Sequence, residues 1–374
     1  MKTITMLKFC ANLKSTATAL GFDEIGWTPA NQPEDYGYFT TWLEEEKHAG
    51  MHYLEKQSLA RKNPESILVG VKTVIMVLMS YQPATPDSTL PAGLGKVARY
   101  ARGPDYHHVL WERLAKLGQL VEEHNPDALW RAISDSAPLL ERGFANRAGM
   151  GWIGKNTLLI HRKLGSFTVL GALLVSIEFP SMANPIIVPD SCGSCTRCID
   201  ACPTNALDHA HTLDARKCIS YWTIEHRGPL GKSAGSQLNN WLFGCDICQE
   251  VCPWNKKNYS GIALGQHPEL ASLSCVELLG LTDQELREKI RKTSILRAKI
   301  EGIRRNALWI LGSQGHSSHL GIVEKYLSST IPALAEAASW ARDQISSKGA
   351  NPGSLKTILD VTSPTNLHRI QEHM

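Results

Sequence analysis

The sequence lacks any apolar run long enough to cross a membrane. Its most apolar stretch, FTVLGALLVSIEF at 167–179, has thirteen residues, whereas a membrane helix needs about 20. The first 22 residues hold neither a long apolar block nor a small-residue cleavage site, so they predict an amphipathic helix ending at Gly21 and not a signal peptide. We therefore expect a soluble, cytoplasmic protein.

A strong charge imbalance is also missing. Among 374 residues, 39 Lys and Arg face 36 Asp and Glu, a net charge of +3, so the overall charge predicts no partner. No GxGxxG motif opens a helix after a strand and no Walker loop is present, which leaves nucleotide sites without support. A composition that is 43% apolar and 20% charged excludes a disordered or collagen-like chain.

The first half of the chain alternates strand and helix patterns. Short apolar runs predict strands at 71–81, 129–135 and 167–179. The second of these would carry Asp135 at its end. Apolar residues three and four apart predict an amphipathic helix over 107–124. We therefore expect a mixture of helices and strands here.

Proline and cysteine divide the rest of the chain. A Pro-rich stretch at 179–191 marks a boundary, cysteines crowd behind it, and the chain from 275 onward is helical in pattern. Trp309 and Trp340 each lie in an Ala-rich helical pattern, which indicates either a short HEAT-like repeat pair or two ordinary helices. The predicted fold class is α+β multidomain, with three domains: 1–185, 186–260 and 261–374.

Eight of the ten cysteines lie between 192 and 252. The first run is C-x2-C-x2-C-x3-C-P, the bacterial ferredoxin spacing, and the second matches its last three cysteines. Cys218 is the cysteine left to complete the second set. The count predicts one [4Fe–4S] cluster on Cys192, Cys195, Cys198 and Cys252, and another on Cys202, Cys218, Cys245 and Cys248. Zinc is the alternative, since paired CxxC motifs also form tetrahedral zinc sites.

Four strings, in order, carry a family resemblance: SDSAPLLER, AGMGWIGKN, CGSCTRCIDACPT and CDICQEVCPWN. Together they resemble the epoxyqueuosine reductases, enzymes of queuosine synthesis in tRNA that are related to reductive dehalogenases. The resemblance covers nearly the whole chain. It implies a nitroreductase-like cobalamin domain, a ferredoxin-like domain with two [4Fe–4S] clusters and a HEAT-like helical domain that binds tRNA.

The resemblance also implies the reaction. Electrons from an external low-potential donor would pass through the clusters to cobalamin, and the epoxide of epoxyqueuosine would lose its oxygen as water, the last step of queuosine synthesis. The substrate would be a tRNA with a queuosine-type anticodon, bound by a monomer with no membrane partner. The alternatives are a dehalogenase-like reductase of a small molecule and an electron-transfer module.

Asp135 falls at the acid position of the resembled family. A carboxyl buried beside a corrin would have its neutral form favoured, so it could donate a proton at neutral pH. From the sequence alone, a helix N-cap or a turn residue before Ser136-Ala137-Pro138 is the simpler interpretation, and the cap is favoured. With the resemblance, we expect catalysis.

The cobalamin contacts are carried over by motif. They are Arg61, Ala98, Arg99, Tyr106, Lys155, Asn156, Leu159, Ser166 and Leu170. The DxHxxG motif that supplies a histidine to cobalt is incomplete, because Asp105-Tyr106-His107 is followed by no glycine. We therefore expect base-off cobalamin without a protein histidine ligand, and His107 and His108 as residues at a helix N-terminus.

One segment is strongly basic. Residues 287–305 hold eight Lys and Arg against two Glu, a net charge of +6. The simpler interpretation is a solvated helix face, but the charge is nearly of one sign. We predict that it binds tRNA phosphates, with Arg297, Lys299, Arg304 and Arg305 as contacts and a steep dependence on salt.

Overall fold

The computed structural model describes residues 2–82, 90–180, 188–256 and 264–349. Both predicted domain boundaries lie outside these ranges. Within them the strands are β1 (Glu24–Pro29), β2 (Thr73–Ser80), β3 (Leu94–Val97), β4 (Trp130–Ile133), β5 (Trp152–Ile153), β6 (Leu159–Ile160), β7 (Thr168–Val175), β8 (Trp241–Phe243) and β9 (Ser272–Ser274).

The helices before residue 200 are α1 (Lys2–Ala19), α2 (Tyr36–Glu44), α3 (His52–Lys56), α4 (Ser58–Lys62), α5 (Tyr106–His124), α6 (Glu141–Arg147) and α7 (Arg197–Asp200). Those after it are α8 (Ile219–Ile224), α9 (Gly231–Gly235), α10 (Ile247–Glu250), α11 (Cys275–Gly280), α12 (Asp283–Ile290), α13 (Lys299–Gln314), α14 (Leu320–Glu324) and α15 (Pro332–Gly349). No helix in the described ranges is both long and apolar enough to span a bilayer.

The main sheet is antiparallel and has the order β1-β2-β7-β4. Every residue of β2 is buried, because α1 and α5 cover one face of the sheet and α6 covers the other. A strand covered on both faces has apolar residues at successive positions, which is the pattern of 71–81. The predicted strands at 71–81, 129–135 and 167–179 and the helix over 107–124 are confirmed by β2, β4, β7 and α5.

A second sheet joins distant parts of the chain. Its order is β8-β3-β9, with β3 parallel to β8 and antiparallel to β9. The three strands come from the three predicted domains. Val97 belongs to the same apolar core as α13 and α15. The fold is therefore a mixed α/β arrangement in which one short strand of the first half is built into the second.

Helices dominate after residue 275, as predicted. The rings of Trp309 on α13 and Trp340 on α15 lie 4.5 Å apart. Gly312 permits this approach, since a Cβ at that position would lie 2.6 Å from the Cα of Ala341. Packing of these two helices does not distinguish a repeat pair from two ordinary helices, and the HEAT-like interpretation stays a prediction.

Candidate active site

The eight clustered cysteines are carried by two short loops and one helix start. α7 follows Cys195 and α10 follows Cys245, so each C-x2-C step includes the start of a helical turn, while Cys218 is the residue before α8. All eight are free thiols.

The mutual effects of the thiols divide them into two sets. Burial raises the pKa of Cys252, and the nearby Cys192 and Cys195 raise it further. Burial and then Cys252 and Cys192 likewise raise the pKa of Cys198. These four thiols are therefore electrostatic neighbours.

The second set follows in the same way. Burial raises the pKa of Cys218. Hydrogen bonds from nearby backbone N–H groups lower this pKa, and Cys202 raises it. Burial and then Cys218 and Cys202 raise the pKa of Cys245, and Cys245 adds to the effect of burial on Cys248. Cys198 of the first set also raises the pKa of Cys248 in the second, so the two sets lie side by side.

The spacing of the thiols bears on which metal they could hold. Zn–S bonds of about 2.3 Å place four tetrahedral thiolates about 3.8 Å apart. Within the described ranges, no three of these Sγ atoms lie within 4.8 Å of one another. This wider arrangement suits a polynuclear cluster better than a single zinc ion.

Several predicted cofactor contacts lie against these loops. Lys155 donates hydrogen bonds to the carbonyls of Gly193 at 2.6 Å and Cys195 at 3.0 Å. The buried Asn156 amide lies 3.5 Å from the carbonyl of Cys248. Leu159 is buried in β6, packed in the core with other apolar side chains. Lys155 and Asn156 therefore hold the hairpin of β5 and β6 against both cysteine loops, while Leu159 belongs to the core.

Ser166 is held by the second cysteine loop. Its N–H donates to Asn255 Oδ1 at 2.7 Å, and its hydroxyl lies 3.1 Å from Gln249 Oε1. The Asn255 amide in turn donates to the Ser166 hydroxyl at 2.9 Å. The polar groups of this buried serine thus have partners within the protein.

Ala98 and Arg99 meet the same loop from another side. The parallel pairing of β3 with β8 brings the Ala98 N–H to the carbonyl of Phe243, and the Arg99 N–H donates to the buried Asp246 carboxylate at 2.7 Å. Gly244 has φ +71°, and a Cβ there would lie 2.4 Å from that of Ala98. The glycine allows this close approach of the two segments.

Asp135 lies just beyond the end of β4, as predicted, on a tightly turned loop. Its φ is +50°, a left-handed conformation that aspartate tolerates better than most residues. Its N–H donates to Glu141 Oε1 at 2.7 Å, and the Ser134 hydroxyl donates to the carbonyl of Leu170 at 2.9 Å. The side chain is 73% exposed, and α6 begins later, at Glu141. Asp135 is therefore a turn residue and not a helix cap, and its carboxyl is presented outward from the loop.

Tyr106 and His107, at the start of α5, face that carboxyl. The Tyr106 hydroxyl donates to Asp135 Oδ2 at 3.3 Å, and His107 Nε2 lies 3.9 Å from the same oxygen. His107 Nδ1 lies 2.6 Å from Asp105 Oδ1. Burial disfavours a charged imidazole, but the carboxylates of Asp105 and Asp135 outweigh it and raise the pKa of His107 to about 9. His107 is therefore a cation at neutral pH.

Arg61 approaches the same loop from α4. It is only 7% exposed, and its Nε has no hydrogen-bond partner. Burial lowers its pKa, while nearby Tyr53, Asp135 and Glu141 raise it. A buried guanidinium with an unpaired N–H is a suitable donor for an anionic or amide-bearing ligand. Among the predicted cofactor contacts, Arg61 and Tyr106 lie near Asp135, and Leu170 contacts the neighbouring Ser134. The others lie at the cysteine loops or in the core.

The basic segment separates into exposed and buried residues. Arg287, Lys289, Arg291, Lys292, Arg297 and Lys299 are exposed. Arg304 is mostly buried and pairs with Asp283 at 2.5 Å and the carbonyl of Leu281. Arg305 is 1% exposed. The prediction that Arg304 and Arg305 contact tRNA phosphates is therefore wrong, since both side chains are engaged within the fold.

Arg305 has a structural role. Its guanidinium donates to the carbonyls of Trp222 at 2.6 Å, and of His226 and Gly228 at 3.0 Å. Burial and the nearby Arg227 lower its pKa to about 10, so it stays charged at neutral pH. It ties α13 to the segment that follows α8.

Three residues of this site were missed from the sequence: His107, Glu141 and Tyr53. His107 was expected to lie at a helix N-terminus, and it does, but its contact with Asp135 depends on how α5 packs against β4. Glu141 was part of the SDSAPLLER string and carried no role. The spacing between Asp135 and Glu141 is the signal that could have suggested a local contact.

Two family models match parts of the chain, and known proteins are similar to it. A family model described as "Epoxyqueuosine reductase QueG, DUF1730" matches residues 61–136, and a 4Fe-4S double cluster binding domain matches residues 191–255. The chain is 36% identical over 297 residues to the epoxyqueuosine reductase of Cellulophaga algicola, covering 79% of this chain and 95% of that protein. It is 41% identical over 247 residues to that of Escherichia coli, covering 65% of this chain and 64% of that protein.

A solved structure is similar over most of the chain. It is an epoxyqueuosine reductase with an epoxyqueuosine-modified tRNA-Tyr stem loop, with a TM-score of 0.84, 28% identity and 91% of each chain covered.

Proposed function

The chain belongs to the epoxyqueuosine reductase family, and from that premise we propose how its residues carry out the reaction. It reduces epoxyqueuosine to queuosine in tRNA. The observation that supports the path of the electrons is the short separation between two segments. One is the second cysteine loop, and the other is the loop that carries Asp135, called the acid loop here. Ser166 contacts the second cysteine loop and Leu170 contacts Ser134, and four extended residues span about 13 Å. A flat cofactor placed between the loops would meet both.

The thiol sets Cys192, Cys195, Cys198 and Cys252, and Cys202, Cys218, Cys245 and Cys248, each suit one [4Fe–4S] cluster. In the interval between the loops, Arg61, Tyr106, Lys155 and Asn156 would hold cobalamin. When bound, the clusters supply single electrons from an external low-potential donor, and cobalamin supplies them to the epoxide. His107 is already engaged by Asp105 and Asp135, which favours base-off cobalamin without a protein histidine ligand.

The role of Asp135 is to deliver a proton to the epoxide oxygen. An epoxide oxygen leaves poorly as an anion, so a positioned acid lowers the barrier. The carboxyl is exposed on its loop, and Tyr106 orients it through the hydrogen bond at 3.3 Å. Ser134 and Glu141 hold the loop itself. These two hydrogen bonds thus hold the backbone of the loop in place at Ser134 and at Asp135.

The tRNA would lie along the exposed cations of the basic segment. This segment reaches the acid site, because the carbonyl of Lys292 accepts the N–H of Asp105 and the Ser294 hydroxyl lies 3.3 Å from its carboxylate. Arg297 lies over the ring of Tyr53 at 5.8 Å. Phosphates bound at Arg287, Lys292 and Lys299 would place a modified base toward Asp135. We assign this reaction to a monomer in the cytoplasm, where it would act on tRNA.

The function is tested with protein loaded anaerobically with iron, sulfide and cobalamin and supplied with a low-potential reductant. Epoxyqueuosine-containing tRNA should be converted to queuosine-containing tRNA, detected by mass spectrometry of the nucleosides. Omission of cobalamin should abolish conversion. Equal conversion with and without it would overturn the proposed route.

The tRNA surface is tested by replacing Arg287, Lys292 and Lys299 with Ala. Binding should weaken and its salt dependence should flatten, because about one counterion is released for each phosphate contact. The control replaces Lys8, Lys116 and Lys325, which are exposed elsewhere. Equal affinity in the two triple variants would place the tRNA on another surface.

A further inference from the structure

Loss of the epoxide oxygen as water needs more protons than one carboxyl holds. The epoxide takes up two electrons and two protons, its two C–O bonds break, and an alkene and one water molecule are formed. Asp135 can carry one proton at a time. A second proton must therefore reach the site within each turnover.

Three side chains lie in a row, from Asp105 through His107 to Asp135. Asp105 Oδ1 lies 2.6 Å from His107 Nδ1, and His107 Nε2 lies 3.9 Å from Asp135 Oδ2. The first contact fixes the ring, so that Nε2 is the nitrogen presented to Asp135. The Asp105 carboxylate also lies 3.3 Å from the Ser294 hydroxyl. The His107 side chain is 25% exposed, so solvent can return a proton to it.

We propose that His107 is a positioning residue that stores the proton which Asp135 delivers, and that Asp105, His107 and Asp135 act together as a proton relay. The proposal rests on the proposed function and adds the source of the protons.

The charges around His107 favour this role. Asp105 lies on its own helix, Asp135 and Glu141 face it from the loop after β4, and the cationic Arg61 lies beyond them. Two close carboxylates hold the imidazole as a cation, with a pKa of about 9. An alkoxide is a far stronger base than imidazole, so transfer from His107 through Asp135 to the epoxide oxygen is downhill.

Each transfer balances. As the first C–O bond breaks with uptake of the electrons, His107 Nε2–H passes its proton to the Asp135 carboxylate, which gives it to the oxygen. Solvent reprotonates His107, and the same movement supplies the second proton as the remaining C–O bond breaks and hydroxide leaves as water. The two electrons come from the donor of the established reaction. Nothing else is consumed.

The test is the pH dependence of a single turnover, measured on reduced, cofactor-loaded protein mixed with modified tRNA. In the wild type the rate should fall as pH rises through about 9, because His107 loses its proton there. His107→Gln should lower the rate by about 10²-fold near neutral pH and should lose this alkaline fall, with tRNA affinity unchanged. The matched control is His108→Gln, an exposed neighbour on the same helix.

Asp105→Asn provides a second variant that keeps the helix start, since Asn caps helices as well as Asp does. Removal of its charge should move the alkaline fall to lower pH by about one to three units. The proposal is overturned if His107→Gln keeps the wild-type rate and profile, or if Asp105→Asn leaves the position of the fall unchanged. An active wild type with either result would leave the reductase function standing.

Discussion

The cysteine loops and the acid site are assembled in different ways. Each cysteine loop brings three or four ligands together within eleven residues or fewer, and short helical turns set their spacing. The acid site collects Arg61 from α4, His107 from α5 and Asp135 from the end of β4. A site of the first kind can be identified from spacing, whereas a site of the second kind depends on the fold.

Cys218 is the exception within the first region, since it lies outside both runs. Cys218→Ala should remove one of the two clusters, leaving about four of eight irons, and should abolish tRNA reduction. Cys10→Ala is the control, because this buried thiol packs in the core between the main sheet, α1 and α5, a cluster that contains none of the eight clustered cysteines. Iron and sulfide analysis with electron paramagnetic resonance measures the outcome. Eight irons in Cys218→Ala would show that another residue completes the second cluster.

A substitution of Asp135 tests the acid site. Asp135→Asn should bind cobalamin and tRNA but lower the rate of reduction by about 10²–10⁴, because the amide keeps the shape and cannot donate a proton as a carboxylic acid does. Asp127→Asn, an exposed residue just before β4, serves as control. Rates within a few-fold of wild type would remove Asp135 from the reaction.

Arg305 and Arg287 belong to one basic run but to different environments. Arg305→Ala removes the buried guanidinium that donates to the carbonyls of Trp222, His226 and Gly228, so the free energy of unfolding should fall by about 3 kcal/mol or more. Arg287→Ala, at an exposed position, should change it by about 0.5 kcal/mol or less. Urea denaturation of loaded protein compares them. Equal midpoints would contradict the structural role of Arg305.

Glu141 links the loop at Asp135 to the pH dependence of stability. Burial and then the nearby Asp135 raise its pKa above its ordinary 4.5, so the folded state binds its proton more readily than the unfolded state does. Stability from this group is complete at low pH and declines as pH rises from about 4.5 toward the raised pKa. Glu141→Gln should therefore gain stability relative to wild type between pH 5 and pH 8. Parallel melting curves for the two, with Glu123→Gln as an exposed control, would exclude this linkage.

Local patterns predicted β2, β4, β7 and α5, because the apolar runs or helical spacing that mark them lie within or next to each element. They did not predict β3, a four-residue strand whose partners lie more than 140 residues further along the chain. The contact between His107 and Asp135 was missed for the same reason. Burial of Arg305 could not be inferred from a charge count, since the carbonyls that hold it are backbone groups of a distant segment.

The strand β3 has a consequence for how this protein can be divided. β8 and β9 flank it on both sides, so expression of residues 1–185 alone would leave two open strand edges and an uncovered part of the apolar core. Such edges favour aggregation. The first half is therefore not a cassette that can be moved between proteins without the second. Gene fusions, split-protein reporters and crystallisation fragments should retain both halves.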